Sequence, residues 1–388
     1  MKKCKIAIIL ATEPYFGGGH QYAMLVAECL AQNAGLTYEL IAICYNRFWR
    51  RWCRKHQVRC MDRVIPSLKQ REKIVNYKFP YLCQIYNTYM TPMGKLLRKE
   101  GIDILFSTQQ FFFIPNYSAK IIVPVHDLMH RYETRFPEVM GAYSDREIDM
   151  KSYMRYACVI LTDSKLGKSQ LLESYRAKRK KVPHIISLPF VAPEYIYNAN
   201  EEYIDVPDRY IFYPAQFWNH KNHINLVKAI RTLRDRIEDI HLILVGSEKN
   251  CCKKIKKYII NNGLENNVTI LGYVSNGNIA YLYKHAVGMV MPSYFGPTNI
   301  PPLEAMLLGC PVAVSDKYAM PEQVGNAGLL FNPDSPEEIA SCIEKLWMDE
   351  NLRERLKKLG YKRVKQWNKE KFNKRLLKVV KEVEQVKI

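Results

Sequence analysis

At 388 residues the chain exceeds the ~100–200 residues of an ordinary single domain, so two domains are expected. Its 48% hydrophobic and 25% charged residues are the balance of a globular protein, which excludes a disordered chain and a membrane-spanning one. A net charge of +20 calls for an anionic partner, whether nucleic acid, a phosphorylated metabolite or an acidic membrane surface.

The basic start around Lys2, Lys3 and Lys5 resembles the head of a signal peptide, but the apolar run behind it ends at Glu13 without a small-residue cleavage site. A buried first strand is the better reading. The apolar run at 6–11 is also far short of the ~20 residues that cross a bilayer. The 11 cysteines are odd in number, scattered, and show neither CxxC nor zinc-finger spacing. Reduced thiols in a cytoplasmic protein fit, with Cys4, Cys29 and Cys44 packing as small hydrophobes.

In chain order, short β-branched runs at 5–11, 38–44, 102–107 and 121–125 predict strands, with a helix over 21–34 between the first two. The pattern restarts with strands at 210–213, 241–245, 268–270, 288–291 and 312–314 and helices at 222–237 and 339–347. Between the halves, Pro183, Pro189, Pro193 and Pro207 mark 182–208 as a linker. Strand–helix–strand repetition implies right-handed crossovers and parallel sheets. Two doubly wound α/β domains follow, and ligands of such sheets bind beyond the carboxyl ends of the strands.

Four such ends hold chemistry. After the first strand, Gly17, Gly18 and Gly19 precede a helix, where a backbone can approach an anion; a flexible turn is the plain alternative. After the 121–125 strand come His126 and Asp127. The imidazole is fit to donate to a sugar hydroxyl or phosphate, and Asp127 to cap a helix. The 210–213 strand leads through Gln216 to Lys221, an ammonium beside helix N–H groups or simply a solvated lysine. After 288–291, a loop through Gly296, Pro297, Thr298, Asn299 and Ile300 enters Pro301, Pro302, Leu303, Glu304 and Ala305. Two prolines suit a helix start, and Glu304 in its first turn either accepts from ribose hydroxyls or complements the helix dipole.

These motifs, in this order over almost the whole chain, resemble the retaining glycosyltransferase family 4 (glycosyl transferases group 1), in a bacterial polysaccharide or O-antigen-type subgroup. Gly309, Cys310, Pro311 and Val312, then Glu322 and Gly328 ahead of Phe331, fit the same pattern. The resemblance implies a GT-B fold: two Rossmann-like α/β domains facing a central cleft. The expected boundaries are 1–190 for an acceptor domain, 191–365 for a donor domain, and 366–388, with Trp367, for a helix crossing back to the first.

The resemblance also implies transfer of a hexose, mannose-like, from a nucleoside-diphosphate sugar to a glycan acceptor in cell-surface polysaccharide synthesis, and the basic aromatic stretch 47–56 adds the expectation that this acceptor is lipid-linked. Glu304 would bind ribose, and Lys221 would stabilise the departing diphosphate. Gln216, Thr298, Asn299 and Ile300 would line the donor pocket, Gly18 and Gly19 would approach the donor, and His126 would contact the transferred sugar. Two positions depart from the family. Gly296 stands where an earlier glutamate often precedes Glu304 by eight residues, and Gln216 stands where a basic residue is usual. No Asp-x-Asp occurs, so neither a metal nor another cofactor is expected.

The stretch 47–56 mixes Arg47, Trp49, Arg50, Arg51 and Trp52 with no acid. It would suit an acceptor or an anionic membrane, or be a basic solvated face with packed tryptophans. The expected location is the cytoplasm, peripheral on the inner face of the membrane, with no nucleic-acid partner. A nucleotide-binding oxidoreductase predicts a GxGxxG that is missing, and a non-catalytic basic binder leaves the strand-end motifs without a purpose.

Overall fold

The first strand, β1 (Cys4–Leu10), shows why the sheets here are parallel: nearly every residue is buried, on both faces, as expected of a strand covered by helices on either side. The same holds for β2 (Tyr38–Cys44) and β4 (Ile104–Ser107). The computed structural model describes residues 3–14, 17–62, 69–110, 112–175, 182–296 and 298–386. Met1, Lys2, Tyr15 and Phe16, and Pro297 of the second-half loop, lie outside the described residues.

The chain divides into two units, the first of 1–132, 139–189 and 370–388, the second of 133–138 and 190–369. Among the described residues, unit 1 is built on a seven-stranded sheet. To β1, β2 and β4 it adds β3 (Arg59–Asp62), β5 (Lys120–Val125), β6 (Val159–Thr162) and β7 (His184–Ser187). Their order is β3-β2-β1-β4-β5-β6-β7, parallel throughout.

Unit 2 holds β8 (Ile211–Pro214), β9 (Leu242–Val245), β10 (Val268–Gly272), β11 (Gly288–Met291), β12 (Val312–Ser315) and β13 (Gly328–Phe331). They run parallel in the order β10-β9-β8-β11-β12-β13. The fold class is therefore as expected, two doubly wound Rossmann-like α/β units.

Parallel strands put all carboxyl ends of a sheet along one edge. The strand order reverses direction at β1/β4 in unit 1 and at β8/β11 in unit 2, and crossovers leaving to opposite faces open a crevice there. One expectation fails: the proline-marked linker contains β7. Pro183 and Pro189 flank a four-residue strand at the sheet edge, where a missing N–H costs no ladder bond. The terminal helix Lys369–Gln385 packs into unit 1 through buried Phe372, Leu376, Val379, Val380 and Val383.

Candidate functional site

In unit 2 the loops leaving β8 and β11 meet at the switch point. The β8 loop closes in a short turn, Asn219–Lys221, and Asn222 takes a left-handed φ of 58° at the start of the helix His223–Arg234. Asn222 Nδ2 donates to Pro292 O and Pro333 O, which ties this turn to the β11 loop. Lys221 is thereby brought to Asn299, its Nζ 3.2 Å from Oδ1. Asn299 is itself clamped, its N–H donating to Gln323 Oε1 at 2.9 Å and its carbonyl accepting from the Gln323 amide. Thr298, Asn299 and Ile300 are all buried, so few of their atoms face water. A cation held by a fixed amide, among loop N–H groups, is suited to a diphosphate.

Glu304 lies in the first turn of the helix Pro301–Leu307, behind two prolines, as the sequence predicts. That helix has only seven residues, so its dipole is small and the charge on the loop matters more. The carboxylate is 5% exposed, and both oxygens are engaged: Oε1 accepts from Tyr195 and Oε2 from Tyr283 at 2.8 Å. Burial pushes its pKa up and the two hydroxyls oppose that shift. A carboxylate has roughly four lone-pair sites, so two remain for another hydroxyl pair.

The two departures have physical explanations here. Gly296 has φ of +94°, and a Cβ there would meet Thr298 O at 2.9 Å and the Asn299 amide at 3.0 Å. A glutamate cannot occupy this position with the loop as it stands. Gln216 accepts from Trp218 Nε1 at 3.0 Å, so it braces the β8 loop. The neighbouring His223 stacks on Phe217, donates from Nε2 to Ala215 O at 3.2 Å, and is driven by burial to a pKa of about 3.

In unit 1, Gly17 caps the helix α1 (Gly18–Gln32) with φ of 60°, and Gly18 and Gly19 form its exposed first turn with no side-chain cap. Three groups hold the preceding loop. His20 Nδ1 lies 3.2 Å from Thr12 Oγ1, while Trp49 Nε1 and Asn46 Nδ2 both donate to Thr12 O. His126 follows β5, at the same sheet edge. Its N–H and that of Asp127 donate to Gln110 Oε1, and its ring meets Tyr22 edge-on at 4.6 Å. Burial lowers its pKa to about 4, so the ring is neutral at pH 7. Asp127 accepts from Met129 N–H, the capping role.

The basic aromatic stretch needs correction. It forms α2 (Arg47–Lys55), in which Trp49 is 0% and Trp52 6% exposed, while Arg47, Arg50 and Arg51 point to solvent. Trp49 braces the glycine loop, and Trp52 packs against Trp49 and stacks on His56. Neither tryptophan is available to an acceptor or a membrane.

The fold also assembles what spacing hid. Cys44 on β2, Cys53 on α2 and Cys60 on β3 bring their sulfurs within 4.8 Å of one another. Cys60 pairs with Ala42, two residues before Cys44, so both face the side covered by α2.

With this geometry in place, residues 198–363 match the family described as Glycosyl transferases group 1. Unit 2 is a group 1 glycosyl transferase domain. The chain is a glycosyltransferase, as the strand-end motifs predict. Among curated relatives it is 23% identical over 266 residues to an O-antigen chain mannosyltransferase B from Escherichia coli, covering 66% of this chain and 69% of that one. Among solved structures it is similar to a glycosyltransferase from Rickettsia africae, with TM-score 0.72, 16% identity and full coverage of both chains. It is also similar to Anabaena HepE in complex with UDP and glucose, with TM-score 0.68, 15% identity, and 98% and 100% coverage.

Four residues of this glycosyltransferase's site region escape sequence reading: Tyr195, Tyr283, Gln323 and Gln110. Tyr195 lies in the stretch read as linker, and Tyr283 sits on a helix with core spacing. The glutamines hold backbone, which any loop polar residue can do. The one available signal is position, and only for Gln110, which follows β4 by three residues; Gln323 lies on the helix Met320–Val324, well past β12.

Proposed function

We propose that the enzyme moves a hexose, mannose-like, from a nucleoside-diphosphate sugar to a glycan acceptor, lipid-linked, in cell-surface polysaccharide synthesis. The observation that carries this is the Lys221–Asn299 pair at the β8/β11 switch point, one helical turn ahead of buried Glu304. The bond between the sugar C1 and the diphosphate oxygen breaks. The acceptor oxygen bonds to C1 on the same face, and its proton leaves with the diphosphate or to solvent. Negative charge grows on the leaving group, where the Lys221 ammonium, held by Asn299, meets it.

Glu304 takes the ribose diol on the lone pairs its tyrosines leave open. Gln216 supports the β8 loop and leaves the charge to Lys221. For unit 1 the reading gives Gly18 and Gly19 close backbone approach to the donor, and gives neutral His126 a hydrogen bond to the sugar. No metal enters the scheme, because Lys221 takes the role of countercharge. The curated relative named an O-antigen chain mannosyltransferase supports a polysaccharide setting, and a lipid-linked acceptor would hold the enzyme peripherally on the cytoplasmic face.

A panel of nucleotide sugars with a lipid-linked glycan acceptor tests this through nucleoside-diphosphate release with matching sugar transfer. Glu304→Ala is expected to raise the donor KM at least about tenfold, ~1.4 kcal/mol, with an unchanged circular dichroism spectrum. Glu304→Gln keeps the volume and covers the case in which the alanine variant unfolds. An unchanged donor KM in either folded variant removes the ribose assignment.

A further inference from the structure

Between β3 and β4 the chain makes a helical excursion of α3 (Gln70–Lys78), α4 (Pro80–Tyr89) and α5 (Pro92–Glu100). α4 is inside out. Its inward face is polar: Asn87 Nδ2 donates to Asn76 Oδ1 and Asn116 O, Gln84 Nε2 to Tyr117 O, and Thr88 Oγ1 shares hydrogen bonds with Ser118. Its outward face is apolar. Tyr81, Leu82, Ile85, Tyr86 and Tyr89 are 50–77% exposed, and flanking Phe79 and Met90 are 55% and 64% exposed.

Seven large side chains in this state expose on the order of 800 Å². Monomeric soluble proteins rarely show a contiguous apolar patch beyond ~300–600 Å². A helix anchored by its polar side with its apolar side offered outward has been built for something that covers it.

The surroundings identify the cover. Lys69, Arg71, Lys78, Lys95, Arg98 and Lys99 are exposed on α3 and α5 or just before them. Of the acids there, Glu72 is exposed but accepts from Lys69 N–H, and Glu100 is paired to Arg59 at 2.7 Å. Arg98 lies 4.2 Å over the Tyr89 ring, so cation and apolar face are contiguous. A second copy of the chain would bring the same cations against themselves, which disfavours self-association. Tyrosines between an apolar face and a ring of lysine and arginine match the water–lipid interface.

We infer that the outward face of α4, with Phe79 and Met90, docks in the plane of an anionic lipid bilayer, with the cations of α3 and α5 on lipid phosphates. This deepens the lipid-linked-acceptor reading by naming the surface, and it relieves α2 of that role. Lipid binding is measured without any sugar donor, so the two fail separately.

The experiment is co-sedimentation of the full chain with vesicles of phosphatidylcholine alone or mixed with phosphatidylglycerol. The chain is expected to pellet with the anionic vesicles and to be released by high salt. The triple variant Leu82→Ser, Ile85→Ser, Tyr86→Ser should bind at least tenfold more weakly, because these side chains leave no core. Leu36→Ser, an exposed residue off this face, should bind as the parent does. Circular dichroism of the triple variant keeps a folding defect from counting as support. The inference is overturned if the parent stays in the supernatant, or if the folded triple variant binds as well as the parent. It is equally overturned by a dimer in sedimentation velocity that the triple variant dissolves while neither protein binds vesicles.

Discussion

At Gly296 a motif match and the local geometry point in opposite directions. Restoring the family's earlier glutamate looks like a gain of one carboxylate, but the loop has no room for any side chain and holds a φ of +94°. A non-glycine residue there costs about 1–2 kcal/mol from the dihedral, and the Cβ must also displace Asn299. Gly296→Glu should therefore raise the donor KM several-fold and lower the melting temperature, as kinetics and calorimetry would read. A variant with tighter donor binding would sink this account of the loop. Glu304 and Lys221 were legible because charged residues in strand-end loops stand out. Tyr195, Tyr283 and Gln323 were not, because holding another residue leaves no pattern along the chain.

Among elements, the central strands β1, β2, β8, β9, β11 and β12 were legible as apolar runs, since burial on both faces leaves little choice of residue. The interior strand β6 and three edge strands, β3, β7 and β13, were not. β3 alternates Arg59, Cys60, Met61 and Asp62, and β7 hides between prolines, because an edge tolerates both charge and proline. Charge also misled at α2, whose arginines advertise a surface while its tryptophans are core. The reverse holds for α4, whose aromatic residues Tyr81, Tyr86 and Tyr89 face outward. Its placement depends on Gly94 of α5, where a Cβ would fall 1.9 Å from Asn87 O and 2.6 Å from Thr88 O. Gly94→Ala must push the two helices apart, and a loss above about 2 kcal/mol in urea unfolding is expected, as for overpacked cores. A neutral result would mean that α4 is not seated as described.

At the scale of the molecule, each unit keeps a neutral histidine inside, His126 at a pKa of about 4 and His223 at about 3, against 6.5 in an unfolded chain. Below pH 6.5 the unfolded chain takes up protons that the native one refuses, so stability is full above 6.5 and falls as pH drops toward 4. Asp149, raised to about 6 chiefly by burial despite Lys73 beside it, acts in the opposite sense as pH falls. The readout is accordingly a difference: His223→Gln should flatten the urea midpoint between pH 6.5 and 4, by up to on the order of 3 kcal/mol at pH 4, and change no slope above pH 7. Parallel slopes for parent and variant would contradict the buried neutral state. One further consequence lies in the order in which the chain is made. Unit 1 owns both early residues and the helix Lys369–Gln385, whose backbone accepts from Cys29 and Lys120. The first unit to emerge from the ribosome is thus the last to be finished. It must wait, with an uncovered flank, while almost the whole of unit 2 is synthesised, and the nascent protein depends through that interval on whatever shields exposed apolar surface in the cell.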